Sequence, residues 1–82
     1  MVELINLGNG SIKRGKTHSW IQWNEDSTFN STHKEPLIER SLIIDPNQLV
    51  YTWLTSPIKE IVKQTETEIE FKTKNSHYLL KL

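Results

Sequence analysis

The chain has 82 residues and a formal net charge of zero, with ten basic and ten acidic side chains. Only 35% of the residues are hydrophobic, so residues 1–82 can form one small β domain with a thin core. Cysteine is absent, which excludes disulfides, thiol nucleophiles and cysteine-based metal sites. The balance of charge also disfavours a strongly basic nucleic-acid binder, although it leaves room for a local basic patch.

The composition favours strands over helices. Alanine, the strongest helix former, is absent, and the chain is rich in Ile, Thr and Trp. No apolar run approaches the roughly 18–20 residues of a membrane-spanning helix. The first residues lack the basic and long apolar regions of a signal peptide. We therefore expect a cytoplasmic all-β protein that does not insert into a membrane.

The beginning of the chain predicts a β-hairpin. Residues 2–7 alternate loosely, and Asn9-Gly10 is typical of a two-residue type I′ turn, in which both residues have positive φ. This turn places Leu7 opposite Ile12. The apolar pair supports the predicted register.

A third strand follows over residues 18–23, after an interruption at residues 15–17. Its alternation places Trp20 and Trp23 on opposite faces. Residues 24–36 are polar and rich in turn formers, which predicts a long loop. Loops of this length are usually functional or mobile, so we expect a movable rim here.

The middle of the chain predicts two further strands. Residues 37–44 are rich in isoleucine, and a strand is favoured there over a short helix. Asp45-Pro46-Asn47 is typical of a turn, and it leads into a strand over residues 49–55. Residues 56–64 could start a short helix at Ser56-Pro57. We favour a strand because the following segment needs a partner.

The clearest alternation lies in residues 68–74, where Ile69 and Phe71 point one way and charged residues point the other. Asn75-Ser76 then predicts a turn into a last strand over residues 77–82. The whole chain is expected to be an antiparallel meander of about six to seven strands, forming a small barrel or a strongly bent sheet.

Residues 10–17 match the phosphate-binding P-loop pattern G-x-x-x-x-G-K-[ST] letter for letter. That site requires a helix that begins at the loop, so that backbone N–H groups and the helix dipole face the phosphates. Residues 18–23 favour a strand instead, and Gly10 already belongs to the predicted turn. We interpret the match as a coincidence.

A basic stretch precedes two aromatic residues, an arrangement used by grooves that bind single-stranded nucleic acid. Its members are Lys13, Arg14, Lys16, Trp20 and Trp23. The competing interpretation is that the tryptophans fill the core and the basic residues protect an edge strand, and it is the favoured one.

No catalytic constellation is visible. His18, His33 and His77 lack the spacing of metal ligands, and no serine or threonine stands in a nucleophile–base arrangement. We therefore expect a protein that is not an enzyme and that needs no cofactor or metal.

The aromatic residues are the stronger indication of function, because tryptophan and tyrosine are the usual anchors of protein interfaces. Tyr51 and Trp53 share one face of their strand, and an open sheet buries only one face. We expect a small binding module that recognises a protein partner, or a second copy of itself, through Trp20, Trp23, Tyr51 and Trp53. Single-stranded nucleic-acid binding is the alternative, and a small-ligand pocket in a barrel mouth or dimer cleft is a third.

Overall fold

The computed structural model describes residues 1–47 and 50–82. This part of the chain contains nine strands and no helix. Five strands form one sheet in the order β2-β1-β9-β8-β7, and four form another in the order β4-β3-β5-β6. The strands are β1 Val2–Asn6, β2 Ile12–Gly15, β3 His18–Trp23, β4 Phe29–His33, β5 Ser41–Ile44, β6 Trp53–Leu54, β7 Ile58–Gln64, β8 Glu68–Thr73 and β9 His77–Lys81.

All strand pairs are antiparallel, which confirms the predicted all-β antiparallel class. The strands divide between two sheets, and these do not close into a barrel. The chain also departs from a simple meander, because the first strand pairs with the last. No helix in the described residues is long and apolar enough to span a membrane.

One hydrophobic core lies between the two sheets. Its centre is the contact of Trp20 from β3 with Phe71 from β8, and both side chains are fully buried. Burying aromatic rings of this size removes more apolar surface from water than any other side chains can. The remaining members are Val2, Leu4, Leu42, Ile44, Ile58, Ile69, Tyr78 and Leu80.

The first hairpin forms with a register two residues away from the predicted one. Ile12 lies opposite Ile5, where the Asn9-Gly10 turn would have placed Leu7. The reason is the side chain of Asn6, whose Oδ1 accepts hydrogen bonds from the backbone N–H groups of Gly8 (2.9 Å) and Asn9 (3.3 Å). These bonds stabilise a four-residue loop in place of the two-residue turn.

The last hairpin shows the same two-residue slip. Phe71 lies opposite Tyr78, and the turn falls one residue earlier than Asn75-Ser76. A slip of two residues preserves the faces of the strands, since side chains alternate with a period of two. Ile69 and Phe71 are therefore buried, as the alternation predicts.

The chain passes from one sheet to the other at residues 15–17. A Cβ atom at Gly15 would overlap the Cγ2 atom of Ile44 and approach Oδ2 of Asp45 to 2.9 Å. The carboxylate of Asp45 also accepts hydrogen bonds from the backbone N–H groups of Lys16 (2.8 Å) and Thr17 (3.1 Å). Glycine is therefore required where the connection leaves β2.

The prediction of a long loop over residues 24–36 is wrong. Strand β4, Phe29–His33, lies inside this segment and pairs with β3. Its sequence lacks a strong apolar alternation, so its strand character comes from the cross-strand partner. Only the turn before it and the connection after it remain outside regular structure.

The predicted strand over residues 49–55 is shorter than expected. Strand β6 consists of Trp53–Leu54, and Leu49 lies outside the described residues. In the next segment β7, Ile58–Gln64, is a strand, so the favoured interpretation of residues 56–64 is confirmed and the short helix is not formed.

Candidate binding surface

The outer face of the five-stranded sheet carries a ladder of alternating charge. Glu3 lies between Arg14 and Lys81 in the sheet register, and Glu68 lies opposite Lys81. Arg14 Nε is 2.9 Å from Glu3 Oε2, and Lys63 Nζ is 3.4 Å from Glu68 Oε1. Such a face is well solvated and internally balanced, so it gains little from contact with another protein.

Among the residues that the structure describes, the strands of the four-stranded sheet place no ionisable side chain on its outer face. Paired residues share a face, so the register fixes its membership. We call this surface the uncharged face. It consists of Ser19, Ile21 and Trp23 from β3, Phe29 and Thr32 from β4, Ser41 and Ile43 from β5, and Leu54 from β6.

The uncharged face presents carbon and hydroxyl groups to solvent. Phe29 is 59% exposed, Thr32 is exposed, and Trp23, Ile43 and Leu54 are half-buried. Ile21 is buried although it is not a member of the core between the sheets. Contact with an apolar surface would remove this carbon from water without desolvating any charge.

Trp23 stands at one end of the uncharged face. Its Nε1–H donates a hydrogen bond of 2.9 Å to Oγ of Ser41, which is fully buried. Because the indole N–H is already hydrogen-bonded within the protein, a partner can contact only the carbon atoms of the ring. An open cavity of about 520 Å³ begins here, and Thr55 and Pro57 also line it. This volume is in the range of small-molecule sites.

Two residues at the rim of this cavity have backbone angles that side chains rarely adopt. Ser27 has φ of 68° and Glu39 has φ of 75°. Left-handed conformations of residues other than glycine cost about 1–2 kcal/mol and occur frequently at binding sites. Glu39 also forms an ion pair with Lys59 (2.8 Å), and Glu25 lies on the rim as well.

The structure separates the four aromatic residues predicted as contacts. Trp20 is fully buried in the core, so its placement at a surface is wrong, because it lies on the face of β3 that packs against the other sheet. Trp53 is 36% exposed and Tyr51 is 49% exposed. Trp53 belongs to the side of the sandwich, where Lys13 Nζ lies 4.8 Å from the centre of its ring. Only Trp23 is part of the uncharged face.

The basic residues of the 13–16 stretch do not gather around Trp20 and Trp23, as the nucleic-acid alternative required. Arg14 is paired with Glu3. Lys13 forms its cation–π contact with Trp53, in agreement with an edge-strand role for β2. The backbone N–H of Lys16 bonds to Asp45. Residues 10–17 therefore form a turn, a strand and a sheet crossing, and strand β3 follows where a P-loop has a helix.

The three histidines lie apart. His77 Nε2 is 2.6 Å from Glu70 Oε2, and His33 Nε2 is 2.8 Å from the hydroxyl of Ser31. Burial, followed by the charge of the N-terminus, lowers the pKa of His18 from its ordinary 6.5. Across the described ranges no three His, Asp or Glu side chains gather at one point that could hold a metal ion.

Comparisons of the chain with protein-family models, curated proteins and solved structures found no match.

Sequence reasoning missed most of the uncharged face. Ile43, Leu54 and Thr32 come from three different strands, and their neighbourhood follows only from the order of strands in the sheet. One signal was available in the sequence: Trp23 and Ile21 share a face opposite to the buried Trp20.

Proposed function

We propose that the protein is a small non-catalytic binding module that recognises a protein partner through the uncharged face. The observation that carries this proposal is the contrast between the two outer faces. One is crossed by paired charges, whereas the other has only apolar and hydroxyl groups.

The chemistry of this surface defines the partner. The exposed Phe29 and the half-buried Ile43 offer apolar carbon, and the exposed Thr32 offers a hydroxyl group at the β4 edge. A matching partner surface is apolar at its centre, has hydrogen-bonding groups around it, and carries no charge that would be buried without a counterion. Trp23 supplies the large aromatic side chain that dominates the energetics of many interfaces.

Two isoleucines provide a matched experiment. Ile43 lies on the uncharged face and Ile5 lies on the charged outer face of the other sheet, and both are half-buried. Ile43→Lys and Ile5→Lys therefore make the same chemical change on opposite sides of the molecule. Wild type and Ile5→Lys should capture the same protein from a lysate of the source cells, and Ile43→Lys should lose it.

Capture that is equal for Ile43→Lys and wild type, or that is lost only in Ile5→Lys, would contradict the proposal. Far-UV circular dichroism and urea unfolding of the two variants serve as controls for folding. A loss of capture counts only if the variant retains the fold at the temperature of the experiment.

Nucleic-acid binding is the second candidate, and the contact of Lys13 with Trp53 supports it. This pair offers one cation and one aromatic surface at the side of the sandwich. Binding of a labelled single-stranded oligonucleotide should then weaken steeply with added salt and should be lost in Trp53→Ala. Affinity that does not change with salt would exclude this candidate.

A further inference from the structure

The two sheets end in four edge strands, β2, β7, β4 and β6. An edge strand exposes unpaired backbone groups that pair readily with another chain unless the edge is protected. Three of these edges are protected by known means. β2 carries Lys13 and Arg14, β6 is only two residues long, and β7 carries Lys59, Glu60 and Lys63 together with two register irregularities.

β4 is the exception. It is five residues long and contains no lysine, arginine, aspartate, glutamate or proline. Its pairing with β3 has one irregularity, next to Phe29. Beyond that point Ser31, Thr32 and His33 pair regularly with β3, so the edge is straight over these three residues.

Hydrogen bonds elsewhere in the sheet show which backbone groups of β4 point outward. The C=O of Leu42 accepts a hydrogen bond of 2.9 Å from Thr55 N–H. The backbone N–H and C=O groups of Leu42 therefore point away from β3. Trp20 lies opposite Leu42, so the backbone groups of Trp20 point toward β4, where Trp20 pairs with His33. By alternation, Thr32 directs its N–H and C=O out of the sheet.

We propose that two copies of the chain pair antiparallel through β4, about a two-fold axis at Thr32. Each Thr32 N–H then donates to the Thr32 C=O of the other copy, and Ser31 of one copy lies opposite His33 of the other. Threonine pairs are favourable across antiparallel strands, and no like charges meet. At a two-fold axis the same surface of both copies comes together, so a charged residue there would face its own copy. β4 avoids this repulsion because it has no charged residue.

Pairing through β4 also extends the uncharged face. Two four-stranded sheets become one sheet of eight strands. The two uncharged faces then lie side by side, because Thr32 belongs to both the edge and the face. This inference goes beyond the proposed function and does not depend on it, since self-association and partner capture are measured separately.

Charge variants at the axis test the proposal. Thr32 is exposed, so Thr32→Lys and Thr32→Glu leave the core intact. In sedimentation equilibrium the wild type should have twice the 9.6 kDa mass of one chain. Each variant alone should have the mass of one chain, because like charges face each other at the axis, and an equal mixture of the two should regain the double mass.

A wild type of single-chain mass at all accessible concentrations would overturn the proposal. A dimer that both charge variants leave intact would overturn it as well. Ile43→Lys should retain the double mass, which distinguishes failure of this inference from failure of the proposed partner surface.

A cross-linking experiment tests the geometry directly, because the chain contains no cysteine. In the proposed pair the two Thr32 Cα atoms are about 5.5 Å apart, the spacing of a hydrogen-bonded antiparallel pair, so a short bismaleimide can join cysteines placed there. With this reagent Thr32→Cys should form covalent dimers rapidly. Val62→Cys, an exposed position on the β7 edge, is the matched control and should react more slowly. Equal rates for the two variants would contradict pairing through β4.

Discussion

The indole of Trp20 and the ring of Phe71 meet edge to face across the two sheets, with their centroids 5.5 Å apart and their planes at 76°. This contact joins β3 to β8 and thereby holds the four-stranded sheet on the five-stranded one. Its position in the core also explains why Trp20 is unavailable to a partner while Trp23, on the opposite face of the same strand, remains at the surface.

Truncation of this contact should be severely destabilising. Phe71→Ala is expected to lower the free energy of unfolding by about 3–5 kcal/mol, a large part of the stability of so small a domain. Trp20→Phe should cost less, because the buried Nε1–H of Trp20 has no acceptor among the described residues and no hydrogen bond is lost there. Urea unfolding followed by circular dichroism measures both. An equal loss in the two variants would contradict this view of the core.

The close approach at the sheet crossing predicts a cost for any side chain at position 15. Gly15→Ala should destabilise the protein by about 1–3 kcal/mol, because its Cβ collides with Ile44 and approaches Asp45. Gly10→Ala is the matched control. A Cβ there meets no atom within 4 Å, and only the φ of 77° is unfavourable. A loss at Gly15 no larger than that at Gly10 would show that the crossing is looser than the structure indicates.

Asp45 should contribute to acid sensitivity. The Thr52 hydroxyl and the backbone N–H groups of Thr17 and Lys16 bond to its carboxylate and lower its pKa below the ordinary 3.8. The folded state therefore favours the ionised form. The resulting stabilisation is present above pH 3.8 and is lost as the pH falls through the lowered pKa.

Asp45→Asn should reduce the loss of unfolding free energy that occurs as the pH falls below 3.8. Urea unfolding at a series of acid pH values measures the effect, with Glu66→Gln, in the exposed β7–β8 turn, as the control. If the unfolding free energy falls with acid in the same way in wild type and Asp45→Asn, these hydrogen bonds do not have the role assigned to them.

The hydrogen bond between Trp23 and Ser41 predicts energetic coupling. Trp23→Phe removes the donor and leaves the buried Ser41 hydroxyl without it, whereas Ser41→Ala removes the acceptor. A double-mutant cycle should give a coupling energy of about 1 kcal/mol. Strictly additive effects would mean that the bond does not orient the indole. A matched cycle between Trp53 and Ser41 is the control.

Local patterns determine much of the fold. The alternation around Ile69 and Phe71 identifies β8 and its buried face, and the opposite faces of Trp20 and Trp23 follow from the same rule. Both hairpin registers are displaced by two residues. In the first hairpin, hydrogen bonds to the Asn6 side chain stabilise a four-residue loop against the two-residue turn that Asn-Gly favours. The predicted inward and outward faces of the strands are still correct, because a register shift of two residues leaves each side chain on the same face.

The candidate surface could not be predicted in the same way. Strand β4 has little intrinsic strand preference and depends on its pairing with β3, so the segment around Ser31 resembles a loop in sequence. The uncharged face combines residues such as Ile21, Ile43 and Leu54 that are far apart in the chain. Their proximity is a property of the sheet order, and local patterns do not contain that order.

Photo-crosslinking in the source cells can show whether the uncharged face recognises a protein partner. A benzophenone amino acid replaces Ile43 in one variant and Ile5 in another, so that the probe lies on opposite sides of the molecule. We expect an adduct with a different protein from position 43 and none from position 5. Adducts from position 5 alone, or from neither position, would contradict recognition through the uncharged face.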